Sequence, residues 1–211
     1  QRAEWQPRTQ KGYLSDVRIM FNFAVRRGWL QRNPAAGVEI PTVALPDAVE
    51  IHSPAQVATV LAFARRYDLN ICRALAVRYF AGLRSGECEK LNEAFIGEKF
   101  LEVCASAAKT RRRRLVTIQP NLRAWLNLGG ALPVRGNKSN VWRDFNKAMT
   151  KATGVPWFHN VTRHCFCSYH LAEFSSASKT AIEAGHSETM LFAHYRELTE
   201  NSAAFWAIVP K

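Results

Sequence analysis

Four short segments hold residues suited to one kind of chemistry, the covalent attack of a side-chain oxygen on a phosphodiester. They are Gly82-Leu83-Arg84, Arg163-His164, Gly185-His186-Ser187 and His194-Tyr195-Arg196. A phenol can attack phosphorus only where the charge of the pentacoordinate phosphate is stabilised, and two arginines with a histidine can do this without a metal. The departing 5′-hydroxyl also needs a proton. Lys109, placed at the end of a strand and before Thr110 and the run Arg111 to Arg114, can supply one.

Each residue also has a simpler reading. Arg84 follows a helix-ending glycine and precedes a new helix start, a junction that suits clamping a phosphate with a planar fork, or an ion pair to Glu87 or Glu89. Arg163 sits among the apolar Val161, Phe166 and Leu171, so it needs an anionic partner, either a carboxylate or a ligand phosphate. Tyr195 lies near Met190, Leu191 and Phe192 and could equally be a core residue. For Arg111, Arg112, Arg113 and Arg114 the expectation is a solvated turn that tracks DNA backbone without taking part in catalysis, and Lys138 and Arg143 are grouped with them as DNA contacts. Cys165-Phe166-Cys167 beside His164 and His170 is not read as a zinc site, because helical residues two apart point in different directions.

The elements that must hold these residues emerge from the rest of the chain. Its 211 residues carry 29 Lys+Arg against 17 Asp+Glu, a formal charge of +12, which makes a polyanion the expected partner. Hydrophobic residues make up 47% of the chain, enough for a substantial core. No apolar run approaches the roughly 18 residues that cross a bilayer, and the first residues do not form a signal peptide, so the expectation is a cytoplasmic protein without membrane contact. The five cysteines fit reduced thiols. A first residue of Gln suggests a piece of a longer polypeptide.

Apolar spacing predicts a helix over 11–30, then a proline-bearing linker, with a domain boundary near residue 46. Ser53-Pro54 starts the next helix and a further one runs from Leu69 to Ala81, stopping at Gly82. Ser85 is expected to cap a short helix carrying Glu87, Cys88 and Leu91. Lys99 to Val103 and Leu115 to Ile118 read as two strands joined by a basic turn. Helices are expected at about 120–128, 139–153, 160–173, 177–184 and 188–196, with a final apolar segment at Phe205-Trp206. The predicted fold class is mainly α with a small antiparallel β-sheet.

Together these residues resemble the tyrosine recombinases of the phage integrase family. Ala81-Gly82-Leu83-Arg84-Ser85-Gly86-Glu87 resembles the family's first arginine box, and Ala108-Lys109-Thr110 its hairpin lysine. Arg163-His164-Cys165-Phe166 with Ser168-Tyr169-His170-Leu171-Ala172 resembles the second arginine box. Gly185-His186-Ser187, with Tyr195 nine residues after the histidine, resembles the last histidine and the nucleophile. The departure lies three residues before Arg163, where the family usually has histidine and this chain has Asn160. His159, four before, is the local alternative, since residues three and four back on a helix share a side.

The resemblance implies a catalytic domain over 46–211 with the family's fold, and residues 1–45 as the C-terminal part of a helical, SAM-like core-binding domain plus linker. It implies Arg84, Lys109, Asn160, Arg163, His186 and Tyr195 as catalytic residues with Glu87 and His159 in support. The chemistry would be strand cleavage and rejoining through a 3′-phosphotyrosyl link, with neither metal nor ATP nor any other cofactor. Partners would be double-stranded DNA attachment sites, bound by a homotetramer that is monomeric when free, in a bacterial cell or encoded by a phage or mobile element. A type IB topoisomerase-like enzyme and a decayed integrase that only binds DNA are the alternatives. The tail around Phe205-Trp206 would dock on a neighbouring protomer or pack on its own domain.

Overall fold

The computed structural model describes residues 5–42, 49–108, 112–134, 138–194 and 199–211. Two compact units meet in sequence between Asp47 and Ala48. The first is organised on α1 (Pro7–Arg26), which opens with proline at its first position, where the missing N–H costs nothing. It begins four residues before the expected start and stops at Arg26; Gly28 follows with φ 73°. No side chain of α1 is buried, and Tyr13, Val17, Met20 and Phe23 are all exposed. Polar bonds hold the following loop to the helix instead. Arg18 donates to the carbonyls of Ala35 and Ala36, both at 3.0 Å, and Asn33 donates to Asn22 Oδ1 at 2.7 Å.

The second unit has a dense core. Its α2 (Pro54–Tyr67) starts with a reciprocal capping box, Ser53 Oγ accepting from the Gln56 amide and Gln56 Oε1 accepting from the Ser53 amide. Asp68 then caps α3 (Leu69–Phe80) by accepting from the amides of Asn70 and Ile71. The α3 helix is the central one, buried from Ala74 to Phe80 and packed on α2, on α5 (Pro120–Leu126) and on α7 (Val161–Phe174). A short α4 (Ser85–Cys88) follows, then a single 3-10 turn at Glu93–Phe95.

Strands β1 (Phe100–Val103) and β2 (Arg114–Thr117) form an antiparallel pair in the register Phe100 to Thr117 and Val103 to Arg114. The remaining helices are α6 (Lys138–Thr153), α8 (Ala177–Ala184), α9 (Glu188–His194) and α10 (Ser202–Trp206). The architecture is therefore mostly helical with a two-stranded antiparallel sheet, as the sequence predicts. Two details differ. The N-cap of α4 is Arg84 rather than Ser85. Arg114 belongs to β2 rather than to the basic turn.

The chain's end packs on its own unit. Phe205 is fully buried, stacked on Tyr169 with ring centroids 4.3 Å apart and 5.1 Å from Phe80. Trp206 Nε1 donates to the Tyr169 carbonyl at 3.3 Å. Burying a side chain of this size contributes about 1.5–3 kcal/mol, so α10 closes the core formed by α3 and α7. No helix among the described residues is long and apolar enough to cross a membrane.

Candidate active site

Three chain reversals bring the charged residues together. The first is the end of α3, where Gly82 has φ 62° and its missing Cβ leaves room for the Phe166 ring; a Cβ there would sit 2.3 Å from Phe166 Cδ1. Only glycine tolerates both the left-handed backbone and this approach. The turn points Arg84 away from the core, half-buried. Its backbone amide donates to Glu87 Oε2 at 2.9 Å, its Nη1 to Glu87 Oε1 at 2.9 Å and its Nη2 to the Gly185 carbonyl at 3.0 Å.

The second is the start of α7. Asn160 caps it with φ 56°, a left-handed conformation that Asn adopts more readily than most residues, and its carbonyl accepts from the amides of Arg163 and His164. Asn160 and His159 are both exposed. Arg163 is 5% exposed. Its Nη1 donates to the Gly82 carbonyl at 2.6 Å, its Nη2 to the Ala184 carbonyl and its Nε to His186 Nε2 at 3.2 Å. Burial pulls its guanidinium down to about 10, against the raising influence of Cys167 and with a further lowering from Arg84. It stays protonated at neutral pH.

The third is the end of α8, where Gly185 (φ 64°) turns the chain and His186 follows. The His186 amide donates back to the Ala181 carbonyl at 2.9 Å, which fixes the histidine at the exit of the helix. Arg84, Arg163 and His186 thus converge although they span more than a hundred residues of sequence. Arg84, Arg112, Arg114, Gly185, His186 and Ser187 line an open basin of about 800 Å3. A groove of similar size, about 810 Å3, runs between α2 and the chain's end, with alanines of both segments, Trp125 and Ile208 in its walls and Arg65, Arg66 and Lys211 at its edge. It holds none of the residues that the chemistry requires.

Beneath the basin lies a carboxylate. Glu87 is 2% exposed and accepts from Arg84 and from Arg114, whose Nη1 and Nη2 reach Oε1 at 3.0 Å and Oε2 at 2.7 Å. Burial pushes its carboxyl up, but the Arg114 bonds and charge, with those of Arg84, outweigh it and hold the group below the usual carboxylate range. Arg114 is therefore a correction to the expected row of solvated DNA contacts. It is 8% exposed, and its Nε donates to the Glu183 carbonyl at 2.9 Å.

The signal that could have found Arg114 is strand parity. It stands two residues before the buried Val116 and shares its inward face, while Leu115 points out. Arg112 and Arg113 are exposed, and Arg113 pairs with Glu102 across the hairpin at 2.6 Å. Arg143 is exposed on α6 beside Asp144. Lys109, Arg111, Tyr195 and the side chain of Lys138 lie outside the described residues.

Glu183, which sequence reasoning missed, accepts from Thr117 Oγ1 at 2.8 Å and lies 3.6 Å from His170 Nε2, tying α8 to β2 and α7. Cys165 is buried, with Sγ accepting from the His52 amide, and burial pushes its thiol up to about 12. Among the described residues no group of three or more His, Cys, Asp or Glu gathers to hold a metal ion.

The sequence matches no protein-family model and no curated protein. Solved structures do resemble it. A lambda integrase dimer bound to a COC' core site superposes with a TM-score of 0.67 at 17% identity, over 85% of this chain and 72% of that one. In another lambda integrase dimer the chain spans only 61% of the partner's length. The Tn1549 transposon integrase in complex with circular intermediate DNA gives 0.64 at 16% identity, covering 90% and 76%. XerA recombinase gives 0.60 at 17%, covering 96% and 82%. These neighbours are tyrosine recombinases, and the chain has their fold.

Proposed function

We propose that this protein is a site-specific DNA recombinase or integrase that cleaves and rejoins strands through a 3′-phosphotyrosyl intermediate. Tyr195 attacks the scissile phosphorus, a bond forms from its phenolic oxygen, and the bond to the 5′-oxygen breaks. Lys109 gives that oxygen its proton, so a neutral 5′-hydroxyl leaves. Arg84, Arg163 and His186 stabilise the charge on the equatorial oxygens, and Asn160 donates a hydrogen bond where a histidine would also carry a proton. Attack by a 5′-hydroxyl of a partner strand reverses the step, and the phosphodiester energy is kept in the covalent link.

The observation that carries this reading is the clustering of Arg84 and His186 at one basin, with Arg163 buried behind it and its Nε 3.2 Å from His186 Nε2. Arg84 supports it further, since among the described residues two of its five side-chain N–H groups are bonded, to Glu87 and Gly185, which leaves three to meet an anion. The substrate would be duplex DNA carrying attachment sites, synapsed by four protomers that are monomeric off DNA, inside a bacterial cell. A DNA-binding protein that no longer cleaves is a second reading, and Asn160 favours it, because an amide transfers no proton near neutral pH.

Loss of a direct charge-stabilising donor costs about 10²- to 10³-fold in rate. Arg84→Ala should slow single-turnover cleavage of a nicked attachment-site duplex by that factor, at DNA concentrations that saturate binding. Near-full cleavage by the variant would overturn the assignment.

A further inference from the structure

The buried carboxylate of Glu87 touches two guanidiniums, but they are not equivalent. Arg114 meets it edge-on with two bonds, at 3.0 and 2.7 Å, and its side chain is 6% exposed. Arg84 gives it one side-chain bond and is 24% exposed, opening into the basin. A carboxylate so buried must be balanced by a cation. If Arg84 were its only partner, the carboxylate would draw the Arg84 guanidinium inward to cover both oxygens.

Arg114 also reaches the other wall of the site. Its Nε holds the Glu183 carbonyl, and a Cβ at Gly185 would lie only 3.2–3.3 Å from the Arg114 Nη1, Cδ and Cζ atoms. That glycine's carbonyl is the Arg84 Nη2 acceptor, and the next residue is His186. One side chain on β2 therefore braces the α4 junction that carries Arg84 and the α8 exit that carries His186.

We propose that Arg114 is a positioning and charge-balancing residue for phosphate binding at this site. It neutralises Glu87, so the Arg84 charge is left for the scissile phosphate, and it keeps the Gly185 turn packed against Arg84. It acts through Glu87 and Arg84, with only the edge of its guanidinium reaching the basin wall. The role rests on the strand-cleavage reading for its catalytic consequence, though not for its structural one.

The test compares Arg114→Gln with the charge-matched double variant Glu87→Gln/Arg114→Gln and with Arg112→Gln. Two readouts are taken: the crystal structure of each variant around Arg84, and single-turnover cleavage of a nicked duplex together with DNA affinity against salt. In Arg114→Gln, Arg84 should leave the Gly185 carbonyl and cover both Glu87 oxygens. The saturated rate should fall about 10- to 100-fold, less than for a direct donor, with the salt slope of binding unchanged. The double variant should return Arg84 towards the basin and recover most of the rate, a rescue that a merely structural role would not give. Arg112→Gln should instead lower the salt slope by about 1.

The proposal is overturned if Arg84 keeps its place in Arg114→Gln, or if that variant loses salt slope while its saturated rate is unchanged. Should Arg114→Gln not fold, the double variant decides alone: Arg84 held at Gly185 and a retained rate support charge balance, and a displaced Arg84 or lost rate contradicts it. A wild-type protein that never cleaves sinks the recombinase reading, whereas Arg84 displaced in Arg114→Gln would still establish the positioning role.

Discussion

Two glycines and one buried carboxylate decide where the arginines of the site point. Gly82 leaves the space that Phe166 fills, and its carbonyl anchors Arg163, so one residue serves the core and the site together. Gly82→Ala would place a Cβ 2.3 Å from a fully buried ring and strain a left-handed backbone. It should lose about 3 kcal/mol or more of stability in urea denaturation. Gly86→Ala, in α4 with no atom within 4 Å of its added Cβ, should be neutral or mildly stabilising. Equal effects from the two would show that the Gly82 packing does not matter. At this scale the motif spacing identified Arg84, Glu87, Arg163 and His186 as neighbours, but not their order of burial. Four consecutive arginines look alike in sequence, and the pleat of β2 is what separates Arg114 from the two exposed arginines before it.

Among the elements, the segment entering α2 is fastened by a histidine. The Pro156 carbonyl can only accept, so His52 Nε2 carries the proton and donates to it at 2.8 Å, while Nδ1 accepts from the Tyr79 hydroxyl at 2.7 Å. The His52 carbonyl accepts from Tyr169, which ties the same residue to α7. Burial lowers the imidazole below its ordinary 6.5, with the Pro156 bond opposing. The unfolded chain then binds a proton at pH values where the folded one does not. Stability from this group is complete above about pH 6.5 and is lost as pH falls towards the lower folded value. Urea midpoints of wild type should fall between pH 6.5 and 5 more steeply than those of His52→Gln. Parallel curves would mean that His52 does not titrate differently on folding. Apolar periods in the sequence predicted nearly every helix, with Ser53-Pro54 marking the start of α2 and Gly82 the end of α3. The start of α1 and the cap of α4 differed, the first because Pro7 begins a helix ahead of its apolar face, the second because the Glu87 carboxylate accepts from the Arg84 backbone amide.

At the scale of the whole molecule, a chain of net charge +12 presents a basin edged by arginine on a unit whose core is closed by its own C-terminal helix. Phe205→Ala would empty the space between Tyr169 and Phe80 and should cost about 3–5 kcal/mol, measured by urea unfolding. A loss under about 1 kcal/mol would mean that α10 does not close the core in solution. The overall architecture was legible from composition, periodicity and four ordered motifs, and solved tyrosine recombinases share it at 16–17% identity. The bracing of the site by Arg114 and Glu183 was not, since it depends on which strand face meets which helix end.

In the proposed mechanism, strand cleavage by this protein requires Tyr195 as the nucleophile. Wild-type protein and Tyr195→Phe should be incubated with nicked suicide duplexes carrying candidate attachment sequences, run on a denaturing gel, and any adduct digested and mapped. A covalent protein–DNA adduct is expected in wild type alone, with the 3′-phosphate on the peptide containing Tyr195. An adduct on another residue, or tight sequence-specific binding by both proteins without any adduct, would contradict that mechanism.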